Sequence, residues 1–370
     1  MKTSFISSVS LQTTMRYSVA KAQQDMVAAQ QEVTTGRHAD VGVALGATTA
    51  RSLDLTRDVL RIKSMLTTNS LATQRLESSE EALSKMAALG QKVLDSLVGL
   101  GSSGDATNLS VARTTIQNAL DTFGSFANTS VNGEYLFSGI NTDVKPFEDV
   151  AREGSDARKA FDAELEKFLD DRSITKSAMT KADMDAFLTR MENMFTADPS
   201  KQIALGTSPG ASHGDFDGQD FWSAFVSNAS GDNMKSRIAQ NEIVQTSTNA
   251  NTAGMRNFVL TSLISITFLD SATSDAAREA AVTRATTYIG QANSGLTSER
   301  ASLGLSAERV KKADESLEAQ KNIIETHLND LESVDAYEAS TRVKGLQALI
   351  ETAYTLTSRL QQLSLVNFLR

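Results

Sequence analysis

Three prolines, Pro146, Pro199 and Pro209, fall in the middle of a 370-residue chain and leave residues 1–145 and 210–370 without one. Proline removes a helical hydrogen bond and clashes with the preceding turn, so both flanks are free to form long uninterrupted helices. The apolar spacing uses that freedom. In the last stretch, Leu346, Leu349, Ala353, Leu356, Leu360, Leu363 and Asn367 follow a 3-4-3-4 spacing, the seam of a helix packed lengthwise on another helix. Further apolar residues, Ile350, Tyr354, Leu365, Val366, Phe368 and Leu369, lie off that seam. A helix apolar on more than one face has to be covered on more than one face. Gln361, Gln362, Ser364 and Asn367 interrupt the stretch, which excludes a bilayer span. The second contact is therefore expected to be another protein chain.

The opposite end carries a matching seam: Met15, Val19, Ala22, Met26, Ala29 and Val33. Its outward positions are Gln, Ser and Thr more than Lys or Glu, which again points to neighbouring chains. Gly36 is placed to close this helix in a left-handed cap, and the stretch with Gly42 and Gly46 reads as an irregular connector. A second helix is expected from Thr48 to Leu97, with a seam running from Leu55 through Val59, Ile62, Asn69 and Leu83 to Leu97. At ~1.5 Å per residue such a helix is roughly 75 Å long. The letters of Gly99 to Gly104 match G-x-G-x-x-G, but a helical pattern precedes them, so a helix–helix turn is expected rather than a dinucleotide site. Leu303, Val310, Leu317, Ile324 and Leu331 keep a seven-residue repeat. The seam at Leu346 is one residue out of phase with that repeat, which predicts a joint near Gly345.

The middle of the chain differs. Helices are expected near 155–171, 180–195 and 219–227, a glycine-rich loop at 205–219, and a strand between Met234 and Thr246. Asn132-Gly133 ahead of Tyr135-Leu136-Phe137 reads as a tight turn with a β-prone run. The fold class expected is mainly α: a long antiparallel helical rod or coiled-coil bundle formed by both chain ends, with a small inserted α+β middle domain. The boundaries are 1–40 plus 335–370 for a terminal assembly domain, and 41–145 plus 240–334 for a helical rod with a short β element near 132–140. Residues 146–239 would form the inserted outer domain.

Little chemistry is offered. Cysteine is absent, which excludes disulfides and thiolate sites. A net charge of −9 gives no basic character for nucleic acid or anionic membranes. The first residues hold no continuous apolar run of a cleavable secretory signal. His38, His213 and His327 lie in separate segments, without metal-ligand spacing; His327 is expected at a seam position beside Leu328. Asp215-Phe216-Asp217-Gly218 lacks the later Glu of a calcium loop. Adjacent acidic pairs such as Glu80-Glu81 do not face one site on a helix. No catalytic residue, metal or cofactor is expected.

Three places resemble the flagellin superfamily, and within it the hook–filament junction proteins of the hook-associated protein 3, or L, type. Val33-Thr34-Thr35-Gly36-Arg37 is similar to the Ser/Thr-Gly-Lys/Arg close of the family's first helix. Asn128-Thr129 through Gly133-Glu134-Tyr135-Leu136-Phe137-Ser138-Gly139 to Pro146-Phe147 resembles the junction-protein pattern. The ending Thr357-Ser358-Arg359-Leu360 to Leu369 is similar to the shared C-terminus. The chain departs at His38-Ala39-Asp40-Val41-Gly42-Val43, where the family often has Asp-Asp-Pro or Asp-Asp-Ala. The resemblance implies a non-enzymatic subunit of the bacterial flagellum, extracellular at the hook–filament junction and exported without a cleaved signal. Its implied partners are the hook-side junction protein (hook-associated protein 1), flagellin, copies of itself in a ring and a cytoplasmic export chaperone on the C-terminal helix, with no nucleic acid and no membrane insertion. A filament flagellin and a cytoplasmic coiled-coil scaffold are the alternative readings.

Overall fold

A computed structural model describes residues 8–100, 105–206 and 217–368; side chains at 8, 9, 11, 12 and 360–368 are not described. The described residues are mainly helical: α1 (Ser8–Thr35), α2 (Val41–Leu45), α3 (Thr49–Leu100), α4 (Ala106–Ala127), α5 (Asp156–Arg172), α6 (Lys181–Phe195), α7 (Phe221–Phe225), α8 (Ala253–Phe268), α9 (Asp275–Glu332) and α10 (Ala336–Phe368). Two antiparallel hairpins accompany them, β1 (Ser130–Val131) with β2 (Glu134–Tyr135), and β3 (Lys235–Ala239) with β4 (Glu242–Gln245). The region from Met234 to Thr246 is thus a hairpin and not one strand, because Gln240 and Asn241 turn the chain back between them. No helix among the described residues is long and apolar enough to cross a membrane.

Contacts divide the chain into two compact units, Met1–Ser64 with Ser316–Arg370, and Met65–Glu315. The first unit holds α1, α2, α10 and the adjoining ends of α3 and α9. Along those ends the apolar seam buries Val59 and Ile62 of α3 and Leu317 and Leu328 of α9. His327 faces outward beside Leu328, contrary to its expected seam position, because the seven-residue repeat presents the apolar neighbour instead. The joint is not near Gly345, which lies inside α10. The helix breaks at Ser333–Asp335, where Asp335 accepts from the backbone of Tyr337 and caps α10.

The second unit has one continuous core. Phe123 of α4 stacks on Phe258 of α8 with centroids 4.0 Å apart, and Phe147 meets Phe123 and Trp222 edge-on. Phe195 stacks on Phe221, and Phe187 packs against Phe161 and Phe268. Residues 146–239 therefore share their core with α4 and α8 rather than closing a core of their own. The cause is α8, whose sequence AGMRNFVLTSLISITF is apolar on most positions and is buried nearly all round. It needs partners on every side, and α4, α5 and α6 supply them. Arg256 enters this core over the Trp222 ring and donates to the carbonyls of Asn251 and Phe195. Burial lowers its guanidinium pKa, opposed by the charge of Asp220.

Three local devices fix this unit. Asn128, at the C-terminal end of α4, donates to the Phe147 carbonyl and accepts from the Phe147 amide, at 2.9 and 3.0 Å. Gly139 has a positive φ of 68°, and a Cβ there would lie 2.5 Å from the Asp232 carbonyl oxygen and 2.6 Å from that of Ser230. Only glycine meets both demands. At the start of α6, Thr180 and Asp183 form a reciprocal capping box, with Arg172 added to the Asp183 carboxylate at 2.6 Å. Bonds from the Thr180 hydroxyl and amide, then from Arg172, hold the Asp183 carboxylate below the usual aspartate range. A folded value below the unfolded one adds stability that is complete above about pH 4 and is lost as the pH falls through the folded value. The melting temperature of the parent chain is thus expected to fall more steeply than that of Asp183→Asn as the pH drops below about 4. Equal slopes in a calorimetric series would refute the assignment.

Candidate assembly interface

The two chain ends meet as an antiparallel helix pair. Ala22 and Ala29 of α1 are buried, as are Ala339 and Ile350 of α10, and Met15, Val19, Met26, Val343, Leu346 and Ala353 are half-buried. Small residues at the centre of the seam let the two backbones approach closely. Polar pins set the register: Gln23 donates to the Tyr354 hydroxyl at 3.0 Å, and Arg342 pairs with the Glu32 carboxylate at 3.1 Å.

The seam on α10 differs from the expected one. It runs Ala339, Val343, Leu346, Ile350, Ala353, Thr357, so Ile350 belongs inside and Leu349 and Leu356 face outward, 51% and 46% exposed. Leu346 and Ala353 belong to both readings. From Leu346 the next seam position is reached by three residues or by four, and both land on an apolar side chain. Ala339, fixed beside the chain joint, selects four. On α1 the expected seam holds from Met15 to Ala29, but Val33 is exposed and Glu32 takes the inner position. Tyr354 is exposed as expected of an off-seam residue. The side chains of Leu360, Leu363, Leu365 and Phe368 lie outside the described residues.

A clasp ties the ends of this pair to α3 and α9. Gly36 closes α1 at a positive φ of 69°, its amide bonded to the Glu32 carbonyl. Its own carbonyl accepts from the Val334 amide at 2.9 Å, while the His38 amide donates to the Glu332 carbonyl at 3.0 Å. Arg37 donates to the Glu332 carboxylate at 3.0 Å, and the Ser52 hydroxyl takes its other oxygen. Glu32 receives the Ala39 amide and lies 3.7 Å from His38, besides its Arg342 pair. Sequence reasoning found Gly36 and Arg37 but missed Glu32, Glu332, Ser52 and Arg342. No local signal marks the two carboxylates, because the apolar spacing offers Val33 beside Glu32 and Leu331 beside Glu332. Glu332→Ala leaves Arg37 and Ser52 without an acceptor, at an expected cost of about 1–2 kcal/mol, since Arg37 is half exposed. Hydrogen exchange at the His38 and Val334 amides is expected to quicken; unchanged protection there would refute the clasp.

Tyr17 and Val27 of α1 are exposed, and so are Leu349, Tyr354 and Leu356 of α10. Among the described residues no group of His, Asp and Glu converges to hold a metal, and nothing in the pair is arranged for acid–base work.

A profile of the bacterial flagellin N-terminal helical region matches residues 6–142, and one of the C-terminal helical region matches 286–369, together more than half the chain. The chain belongs to the bacterial flagellin family. It is a structural, non-catalytic subunit of the bacterial flagellum, an extracellular assembly, and self-association is a property of this family. No curated protein sequence matches the chain significantly. Among solved structures, a protein described as a flagellar hook-associated protein from Vibrio parahaemolyticus superposes with a TM-score of 0.51 at 12% identity. The match covers 77% of this flagellin-family chain and 97% of that one, and at this identity it speaks for the fold alone.

Proposed function

We propose that this flagellin-family protein is a junction subunit between the hook-side junction protein (hook-associated protein 1) and the flagellin filament. In this reading copies of the chain form a ring through the paired α1 and α10 helices. The observation that carries the reading is the reciprocal Asn128–Phe147 bond together with the glycine-only site at Gly139. These residues belong to the stretch that resembles the junction-protein pattern, and each has a structural task in this chain. The exposed Leu349, Tyr354 and Leu356 support a further partner before assembly, a cytoplasmic chaperone that covers α10 until export without a cleaved signal.

Electron microscopy of flagella from a deletion strain tests the position. Bare hooks, with flagellin released into the medium, are expected; normal filaments would overturn the proposal. The second reading, a filament flagellin, rests on the same two family regions, and gold-labelled copies distinguish it. Label confined to a short band at the end of the hook supports the junction, and label along the filament supports the flagellin reading. The cytoplasmic scaffold reading is set aside by membership of the flagellin family.

A further inference from the structure

We propose that the Asn132-Gly133 turn is a site of spontaneous deamidation in the folded protein, an ageing point at the β1–β2 hairpin. It is the single Asn-Gly in the sequence, and both residues sit at positive φ, 54° and 85°, as the two-residue hairpin turn demands. In the reaction the Gly133 backbone nitrogen attacks the Asn132 side-chain carbonyl carbon. The carbon–nitrogen bond of the amide breaks, and ammonia leaves with the Gly133 amide proton. Water then opens the succinimide at one of its two carbonyls, giving Asp or isoaspartate. No oxidant, metal or enzyme is required.

The local geometry favours this asparagine over others. Both turn residues are exposed, and a Cβ at Gly133 would meet nothing within 4 Å. The Asn132 amide makes one long bond, 3.3 Å, to Gln74 of α3. The hairpin spans only two residue pairs, Ser130 with Tyr135 and Val131 with Glu134. So short a ladder opens at little cost, which frees the backbone to leave the left-handed region and bring nitrogen and carbonyl together. Asn69 and Asn293, each followed by serine, lie inside α3 and α9. Helical hydrogen bonds hold the following amide in place, and these two serve as internal controls.

The product acts on the hairpin. A new carboxylate would stand beside Glu134, whose own carboxylate pairs with Arg75 at 2.8 Å. Arg75 also donates to the Tyr135 carbonyl at 2.7 Å, so one guanidinium holds β2 against α3. Isoaspartate additionally lengthens the backbone by one methylene within the turn. Both changes loosen that hold.

The test incubates the full-length folded protein at mildly alkaline pH and follows the tryptic peptide 114–152, uncut at Lys145 because Pro146 follows. Loss of the Asn132 amide, and methyl transfer to that peptide by an isoaspartyl methyltransferase, are expected, with Asn69 and Asn293 intact. Asn132→Asp is expected to quicken hydrogen exchange at residues 134–136. An Asn132 as durable as the two helical controls, or one that reacts only in urea, would overturn the proposal. Unchanged exchange in Asn132→Asp would overturn its structural consequence.

Discussion

Replacing Leu349 and Leu356 together by Asp is expected to abolish assembly while leaving the isolated chain as stable as before. Both side chains are about half exposed and lie off the buried seam of α10, so the substitutions disturb little of the monomer's packing. Surface changes of this kind shift stability by about 0.5 kcal/mol at most, or roughly 1–2 °C. In the assembled flagellum the same positions would press carboxylates into a neighbouring chain, at a cost of several kcal/mol per contact on the order of a buried unpaired charge. Ile350→Asp gives the opposite profile. Its side chain is 8% exposed and sits in the seam with α1, so melting of the helix pair itself should drop. Circular dichroism of the isolated chains and motility of cells carrying each variant separate the two roles. Motile cells with normal filaments in the double variant would sink the idea that this face binds a neighbour.

The second large effect is expected at a crossing of two glycines. Gly254 of α8 and Gly295 of α9 meet backbone to backbone. A Cβ on Gly254 would lie 2.8 Å from the Leu296 nitrogen, and one on Gly295 would lie 2.8 Å from the Gly254 Cα. The obstructing atoms are backbone, so no rotamer change relieves the clash. Gly254→Val must push α8 away from α9, and α8 is packed on every side. Overpacking of this kind costs about 3 kcal/mol or more, a fall of roughly 6–12 °C in the melting of the second unit. Gly304→Ala is the matched control: it lies in α9 with open space around the added methyl. It should gain up to about 1 kcal/mol from helix propensity. Similar melting curves for Gly254→Val and the parent chain would refute the close approach.

The long helices were legible because they are periodic. Val59, Ile62, Leu83 and Leu97 recur at heptad spacing and are all buried along α3, and Leu303, Val310 and Leu317 along α9. A pattern sustained over so many turns leaves few alternatives. The Asn132-Gly133 turn was legible for a different reason: few dipeptides tolerate two successive positive φ values. The rotation of α10 was not legible. Leu349 and Ile350 are both apolar and adjacent, and local sequence has no means of ranking them. Nor were the clasp carboxylates, since Glu32 and Glu332 look like surface residues until Arg342, Arg37 and Ser52 arrive from distant segments.

The middle block marks the same division. Its helices carry their own caps, Ser155 and Thr180 among them, so their positions followed from the sequence. Where their apolar faces go did not. Amphipathic pattern says that Phe161, Phe187 and Phe195 must be covered, but not by what. Phe187 meets Phe268 of α8, far along the chain, and Phe161 packs on Phe187, while Phe195 is covered by Phe221 and Trp222 of α7. Sequence periodicity was enough to mark the long helices and to show apolar residues on α10 off any single seam. Only packing between distant segments settled which stripe of α10 turns inward and which element covers each apolar face of the middle block. Periodicity is a local property of side chains, whereas facing is settled only when distant backbones compete for the same space.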